Sequence, residues 1–173
     1  MVSCSNFNSR LSRLDRVLAV TGSPFVEPFL VNLTTGTLTS QGKVTTTISP
    51  TLVAAAQSNM TFWISDSGTL QCYAYSPRLG TGPTLSGSAS LSTGSIYAMR
   101  VAPDDLTLLY TKSSDTSLFW RTLNNCSVGS EQSIALPGAG GADIDFRLSD
   151  GGGIVFAVEG SGTRVWKITR NTS

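Results

Sequence analysis

One unit of sequence occurs four times in this chain, and this repetition restricts the fold more than any single motif does. In each unit a short apolar stretch runs into a polar turn and then into a second stretch with a large apolar or aromatic residue. The first stretches are DRVLAVTGS, NMTFWISDSG, DLTLLYTKSSD and GGIVFAVEGSG, which start at Asp15, Asn59, Asp105 and Gly152. By subtraction, the starts are 44, 46 and 47 residues apart. The unit is therefore predicted to be one supersecondary structure copied along the chain.

A second landmark keeps the same period. The aromatic residues of the second stretches are Phe29, Tyr73, Trp120 and Trp166, at steps of 44, 47 and 46 residues by subtraction. Apolar and polar positions partly alternate around them, as half-buried strands require. Weaker stretches rich in Ser and Thr follow in three units and are typical of exposed outer strands: GKVTTTIS, PTLSGSASL and SEQSIALPG. Units made of strands and repeating about every 40 to 50 residues predict the blades of a β-propeller.

The fold class expected is thus all-β, a propeller-like array of about four blades. We predict one domain over residues 1–173, with blades at approximately 10–48, 49–92, 93–137 and 138–173. The chain stops soon after Trp166, so the fourth unit has no outer strand of its own. Two alternatives follow. Either the N-terminal segment SCSNFNSRL supplies that strand and closes a small ring, or a neighbouring chain completes a half-propeller.

Composition restricts the partners. Charged residues make up 13% of the chain and the net charge is +1, which does not fit a general nucleic-acid surface. The sequence has no apolar run of about 18 residues, so no membrane partner is expected. The N-terminal residues MVSCSNFNSR lack the apolar core of a signal peptide. No cofactor is predicted.

Histidine is absent, which removes His-activated nucleophiles, most zinc sites and the commonest general base. We therefore predict no catalytic, cofactor or metal residues and no enzymatic activity. Asp143 and Asp145 alternate in ADIDF and are predicted to lie on one side of a strand, where a carboxylate pair could hold a cation or share a proton. Solvent contact or backbone hydrogen bonding is the favoured interpretation. A propeller hydrolase that uses this pair is the weakest functional hypothesis.

Tryptophan and cysteine complete the list of candidates. Trp63, Trp120 and Trp166 could stack on a glycan or form an interface, although their position at the repeat landmarks favours packing between blades. Cys4, Cys72 and Cys126 are odd in number and widely spaced. They match no metal-ligand pattern, and we expect free thiols rather than a disulfide.

The third unit, MRVAPDDLTLLYTKSSDTSLFWRTLN, resembles the blade of WD-type and lactonase-like propellers. Strand, Pro-Asp turn, strand, short loop and aromatic strand follow one another in both. The first unit, VTGSPFVEPFLVNLTTGTLTS, has the same plan. Short chains of this kind, with many Ser, Thr and Gly residues and few charges, are also similar to propeller-type structural proteins in the virions of tailed bacteriophages.

That similarity implies a non-enzymatic virion component of the tail or capsid, assembled in the host cytoplasm, which docks on other virion proteins or on copies of itself. The alternative is a secreted or surface module that binds glycans. The tryptophans favour this alternative, as do four Asn-X-Ser/Thr triplets, at Asn32, Asn59, Asn125 and Asn171.

Overall fold

The protein consists of four antiparallel sheets that follow one another along the chain. The computed structural model describes residues 16–22, 24–32, 34–56, 60–76, 81–92, 94–140, 143–149, 151–160, 162 and 164–170. The N-terminal segment expected to close the ring, and Cys4 within it, lie outside these residues. Every regular element in the described residues is a strand, as the all-β prediction requires.

Sheets 1 and 2 contain four strands each. Sheet 1 is formed by β1 (Arg16–Gly22), β2 (Phe25–Val31), β3 (Leu38–Ser40) and β4 (Val44–Thr45). In this sheet β2 pairs with each of the other three strands. Sheet 2 is a simple meander of β5 (Leu52–Ala55), β6 (Thr61–Ser65), β7 (Thr69–Ser76) and β8 (Thr81–Ser90).

Sheets 3 and 4 repeat the meander. Sheet 3 is formed by β9 (Ile96–Val101), β10 (Thr107–Lys112), β11 (Ser117–Asn124), β12 (Ser127–Val128) and β13 (Gln132–Ala135). Sheet 4 is formed by β14 (Ile144–Leu148), β15 (Ile154–Glu159) and β16 (Val165–Thr169). The two sequence landmarks of each repeat fall in equivalent strands, the first in β1, β6, β10 and β15 and the second in β2, β7, β11 and β16.

Local sequence fixes the turns between these strands. Between β6 and β7, Asp66 accepts hydrogen bonds on Oδ1 from the amides of Gly68 and Thr69, at 2.8 and 2.7 Å. Between β9 and β10, the amide of Leu106 donates to Oδ1 of Asp104 at 2.9 Å, and Asp105 has a positive φ of 57°. Aspartate tolerates the positive φ of Asp105 better than most residues, and the side chain of Asp104 replaces a backbone partner in the turn. The predicted Pro-Asp turn is thus confirmed.

Three apolar layers hold consecutive sheets together face to face. Sheets 1 and 2 pack through Val26, Phe62, Ile64, Tyr73 and Tyr75. Sheets 2 and 3 pack around a second set that includes Trp63, Leu70, Met99, Leu108 and Tyr110. Sheets 3 and 4 pack through a third that includes Leu109, Leu118, Ile144, Phe146 and Val155. Among the described side chains, no such layer joins sheet 4 back to sheet 1.

Burial patterns follow from this order. All five residues of β6 are buried, because one face of sheet 2 meets sheet 1 and the other meets sheet 3. In sheet 3, β10 is buried from its second residue to its last for the same reason. In β15, by contrast, buried residues alternate with residues that are at least partly exposed, so only one face of sheet 4 is covered.

A disulfide joins sheets 2 and 3, which corrects our expectation of free thiols. Cys72 in β7 is bonded to Cys126 in the turn between β11 and β12, and their Cα atoms are 5.3 Å apart. The strand β8 makes this approach possible through Gly87, because a Cβ there would overlap the carbonyl group of Cys126. The pairing could not be predicted from spacing because the two cysteines are 54 residues apart and meet only when the sheets stack.

Candidate functional site

The first strands of sheets 2, 3 and 4 lie side by side along one edge of the array. Contacts run from β5 to β9 and from β9 to β14, and each of these strands is the edge strand of its sheet. Side chains that leave this edge therefore converge on a common line. The sequence predicted a strand before the Pro-Asp turn of the third unit, where β9 lies, but gave no landmark for β5 and β14, because these strands carry no recurring aromatic residue.

Arg100, Asp145 and Arg147 form a charged cluster at this edge, which we call the axial cluster. Oδ1 of Asp145 accepts a hydrogen bond from Nη1 of Arg147 at 2.9 Å and lies 3.8 Å from Nη2 of Arg100. The same oxygen accepts the amide hydrogen of Phe146 at 2.8 Å. The other oxygen, Oδ2, makes no hydrogen bond with a described residue. The cluster combines residues of two sheets, since Arg100 lies in β9 and the other two in β14.

Backbone carbonyls orient both arginines. Nη1 of Arg100 donates to the carbonyl of Met99 at 2.7 Å, and Nη1 of Arg147 donates to that of Phe146 at 2.9 Å. All three side chains of the cluster remain partly accessible, with 38% of Arg100, 47% of Asp145 and 64% of Arg147 exposed. A small molecule at the edge of the array could therefore contact them.

The cluster has an excess of positive charge. Burial lowers the pKa of Arg100 and the neighbouring charge of Arg147 lowers it further, while Asp145 acts in the opposite direction. Two guanidinium groups and one carboxylate leave a net charge of +1 in a partly desolvated place. Such an arrangement favours a bound anion, because guanidinium groups form charge-assisted hydrogen bonds with carboxylate and phosphate oxygens.

The structure gives the two predicted carboxylates different partners. Asp143 precedes β14, and its Oδ1 accepts the amide hydrogen of Ser114, in the turn between β10 and β11, at 3.1 Å. Its carbonyl accepts the amide hydrogen of Gly160 at 2.7 Å. Asp143 thus joins sheets 3 and 4, whereas Asp145 belongs to the axial cluster. No group of three or more His, Cys, Asp or Glu residues suited to a metal ion occurs among the described residues.

The three predicted tryptophans lie in different environments. Trp63 is completely buried between sheets 2 and 3 and contributes packing there. Trp120 lines an open groove of about 350 Å³ between sheets 3 and 4, together with Ile134 and Arg170. Nε1 of Trp166 donates to the carbonyl of Pro137 at 3.2 Å. Ligand or interface roles for these residues stay predictions, and Trp120 is the one that a groove makes accessible.

A second charged cluster, which we call the Glu131 network, is structural. Glu131 Oε1 lies 3.0 Å from Nζ of Lys112, and its Oε2 lies 3.5 Å from Nη2 of Arg121 and accepts from the hydroxyl of Tyr110 at 2.5 Å. Ser92, two residues after β8, also donates to Glu131, and Nη2 of Arg121 donates to the carbonyl of Ser90 in β8 at 2.9 Å. The side chains of Lys112 and Arg121 are only 3% and 10% exposed. Since the network joins side chains of sheet 3 to Ser92, just beyond sheet 2, it fixes sheet 3 against sheet 2.

Nowhere in the described part of the chain is there a helix long and apolar enough to cross a membrane.

Comparison with known proteins identifies the fold. No protein-family model and no curated protein sequence matches the chain significantly. A protein from Lactobacillus plantarum is 18% identical and superposes with a TM-score of 0.71, over 91% of this chain and 49% of that one. A periplasmic gluconolactonase of Pseudomonas aeruginosa is 12% identical, with a TM-score of 0.64 over 91% of this chain and 50% of its own.

A protein of Bacteroides uniformis that is provisionally named a 6-phosphogluconolactonase gives a TM-score of 0.66 at 11% identity, over 91% of this chain and 48% of its own. These neighbours contradict our prediction that the chain is not an enzyme, because propellers of its fold are named as gluconolactonases. The predicted all-β propeller class is confirmed. The chain has a lactonase-like β-propeller fold and spans about half the length of the neighbours that it matches.

Proposed function

We propose that this chain belongs to a propeller hydrolase that opens small anionic lactones at the axial cluster. The observation that carries the proposal is the contact of Asp145 with two arginines at the converging edge strands of a lactonase-like fold. The weakest hypothesis from the sequence was a propeller hydrolase that uses Asp143 and Asp145, and the present proposal changes the residues involved. Asp145 acts with Arg100 and Arg147, and Asp143 has a structural role.

In the proposed reaction Asp145 is the general base. Its Oδ2 accepts a proton from a water molecule, whose oxygen attacks the lactone carbonyl carbon. A guanidinium group of the cluster stabilises the negative charge that develops on the carbonyl oxygen. The bond between the carbonyl carbon and the ring oxygen then breaks, and the ring oxygen takes up the proton held by Asp145. One water is consumed and one hydroxy acid is formed.

The charge of the cluster favours an anionic substrate class. The guanidinium group that is not occupied with the carbonyl oxygen can bind a phosphate or carboxylate elsewhere on the substrate. Arg147 is the better candidate for this second role, because its side chain is the most exposed of the three. We therefore expect glucono-δ-lactone 6-phosphate to be hydrolysed faster than the unphosphorylated lactone at low concentration.

The variant Asp145→Asn tests the proposal. Loss of the general base should reduce the hydrolysis rate by about 10²- to 10⁴-fold. The rate is measured by following acid release in a pH-stat with both lactones, after subtraction of spontaneous hydrolysis. Asp143→Asn is the matched control, because this carboxylate bonds a backbone amide outside the axial cluster. Full activity of Asp145→Asn, or no wild-type rate above the buffer rate on either lactone, would refute the proposed function.

A place in a phage particle remains a second proposal, and it concerns location rather than reaction. The observation that favours it is the exposure of Leu85 in β8 and Ile134 in β13, apolar side chains on the outer strands of sheets 2 and 3, because exposed apolar surface often marks contacts with other proteins. Mass spectrometry of purified virions from the source is the test, and absence of the chain from the particles would exclude this location. Glycan binding stays an alternative through Trp120, with loss of glycan-array signal in Trp120→Ala as its test.

A further inference from the structure

The outward face of sheet 4 is apolar and uncovered. Phe156 and Val158 in β15 are 42% and 41% exposed, and Val165 in β16 is 67% exposed. They share one face, because Val158 pairs with Val165 across the strands and Phe156 pairs with Lys167. The opposite face of the same strands is buried against sheet 3. Sheets 2 and 3 bury residues on both of their faces, whereas sheet 4 leaves the apolar residues of its outer face exposed.

Sheet 1 also has apolar residues on the face that points away from sheet 2. Phe25, Phe29 and Val31 alternate with Val26, whose side chain is buried against sheet 2, so these three lie on the opposite face. Leu38 of β3 pairs with Val31 on that face and is 53% exposed. Among the described side chains, the array thus ends in a largely apolar face at both sides, with Lys43 over the ring of Phe25 in sheet 1.

We propose that a second copy of this chain covers both end faces, with sheet 4 of each copy packed on sheet 1 of the other. The two contacts are identical, as the twofold symmetry of a closed dimer requires. Two copies of four sheets make a ring of eight, within the range of about four to eight blades typical of propellers.

Charge distinguishes this arrangement from a contact between two copies of sheet 4. The outward face of sheet 4 carries Lys167, Arg147 and Asp145, which together give it a net positive charge. A sheet 4 packed on its own copy would bring like charges together. The outward face of sheet 1 carries Glu27 between Phe25 and Phe29, and Lys43 over the ring of Phe25, so its described charges cancel. Contact of sheet 4 with sheet 1 therefore avoids the like-charge contact, offers Glu27 as a partner for Lys167, and continues the face-to-face stacking already present in the chain.

The assembly also bears on the axial cluster. Asp145 and Arg147 pair with Val158 and Phe156, so they lie on the inner part of the face that the second copy would cover. The second copy would then form the opposite wall of the site. This consequence for catalysis rests on the proposed function, whereas the assembly itself does not. Measurement of mass therefore tests the dimer independently of any activity.

Light scattering coupled to size-exclusion chromatography measures the assembly directly. The chain has a mass of 18.2 kDa, and we expect twice that value for the wild type. Val165→Glu places a charge on the apolar face and should raise the dissociation constant of the dimer more than about tenfold. The measured mass should therefore fall to that of one chain. Each dimer contains the substitution twice. Leu106→Glu is the matched control, because Leu106 is 60% exposed but lies in a turn between β9 and β10. Circular dichroism verifies that each variant is folded.

A charge exchange tests which faces meet. Lys167→Glu should weaken the dimer, and adding Glu27→Lys in the same chain should restore it. A wild type that elutes as a single chain at micromolar concentration would overturn the proposal. So would a folded Val165→Glu variant that stays dimeric. If Lys167→Glu weakens the dimer and Glu27→Lys does not restore it, the predicted contact between sheets 4 and 1 is wrong.

Discussion

Replacing Cys72 and Cys126 together with alanine is expected to lower the free energy of unfolding by about 4 kcal/mol. The bridge closes a segment with a sequence separation of 54 residues, and a loop of this length loses much of its conformational freedom in the unfolded chain when it is cross-linked. The bridge also joins two sheets that pack on each other through an apolar layer of side chains. Loss of the bridge should therefore weaken the packing between sheets 2 and 3.

Urea unfolding of the purified chain measures this effect. The double variant should unfold at a lower midpoint than the wild type under oxidising conditions, and the wild type should approach it when a reductant is added. Cys4→Ala is the control, because Cys4 is not part of the bridge. Equal midpoints for the double variant and the oxidised wild type would contradict the prediction.

Glu131→Ala should destabilise the protein by about 3 to 5 kcal/mol, because it leaves buried cations without their carboxylate. Lys112 is the residue most affected, since its side chain is 3% exposed and its Nζ lies 3.0 Å from Oε1 of Glu131. The hydroxyl of Ser92 and the ring of Phe119 remain near the ammonium group, at 2.8 Å and 4.1 Å from Nζ. Neither of these neighbours supplies a negative charge.

Acid titration separates the charge of Glu131 from its packing. Burial opposes ionisation, but hydrogen bonds from Ser92, Tyr110 and Lys112, with the charge of Lys112, outweigh it and lower the pKa of Glu131 from 4.5 to about 2. A lowered pKa in the folded state stabilises the protein above the unfolded value. That contribution, about 3 kcal/mol, is lost as the pH falls from about 4.5 to about 2.

Glu131→Gln is the matched variant for this titration. It keeps the shape of the side chain but cannot ionise, so the stability of the variant should depend less on pH between about 2 and 4.5. Urea midpoints measured across that range give the comparison. Identical pH dependence in the wild type and Glu131→Gln would show that Glu131 does not carry the effect.

The sequence predicted those parts of the fold that have a local cause. Phe29, Tyr73, Trp120 and Trp166 marked β2, β7, β11 and β16, because a strand that packs an aromatic residue must recur wherever a sheet recurs. The turn at Asp104 was predictable because its chemistry lies within a few residues. Both signals are properties of one repeat unit.

The features that escaped prediction depend on stacking between units. Arg100 and Asp145 are far apart in the sequence and meet only because β9 and β14 lie side by side. The disulfide was missed for the same reason. The absence of histidine excludes histidine chemistry but leaves a carboxylate base with arginine partners open, so it does not exclude an enzyme.

Stacking in series has a consequence for the evolution of this protein. Each sheet packs on the sheet before it and the sheet after it, so the hydrophobic core is divided into separate interfaces between neighbouring sheets. Duplication or loss of one unit changes the packing at one place along the chain and leaves the other interfaces intact. Ancestors and descendants of such a chain can therefore differ in the number of units while keeping the same internal design.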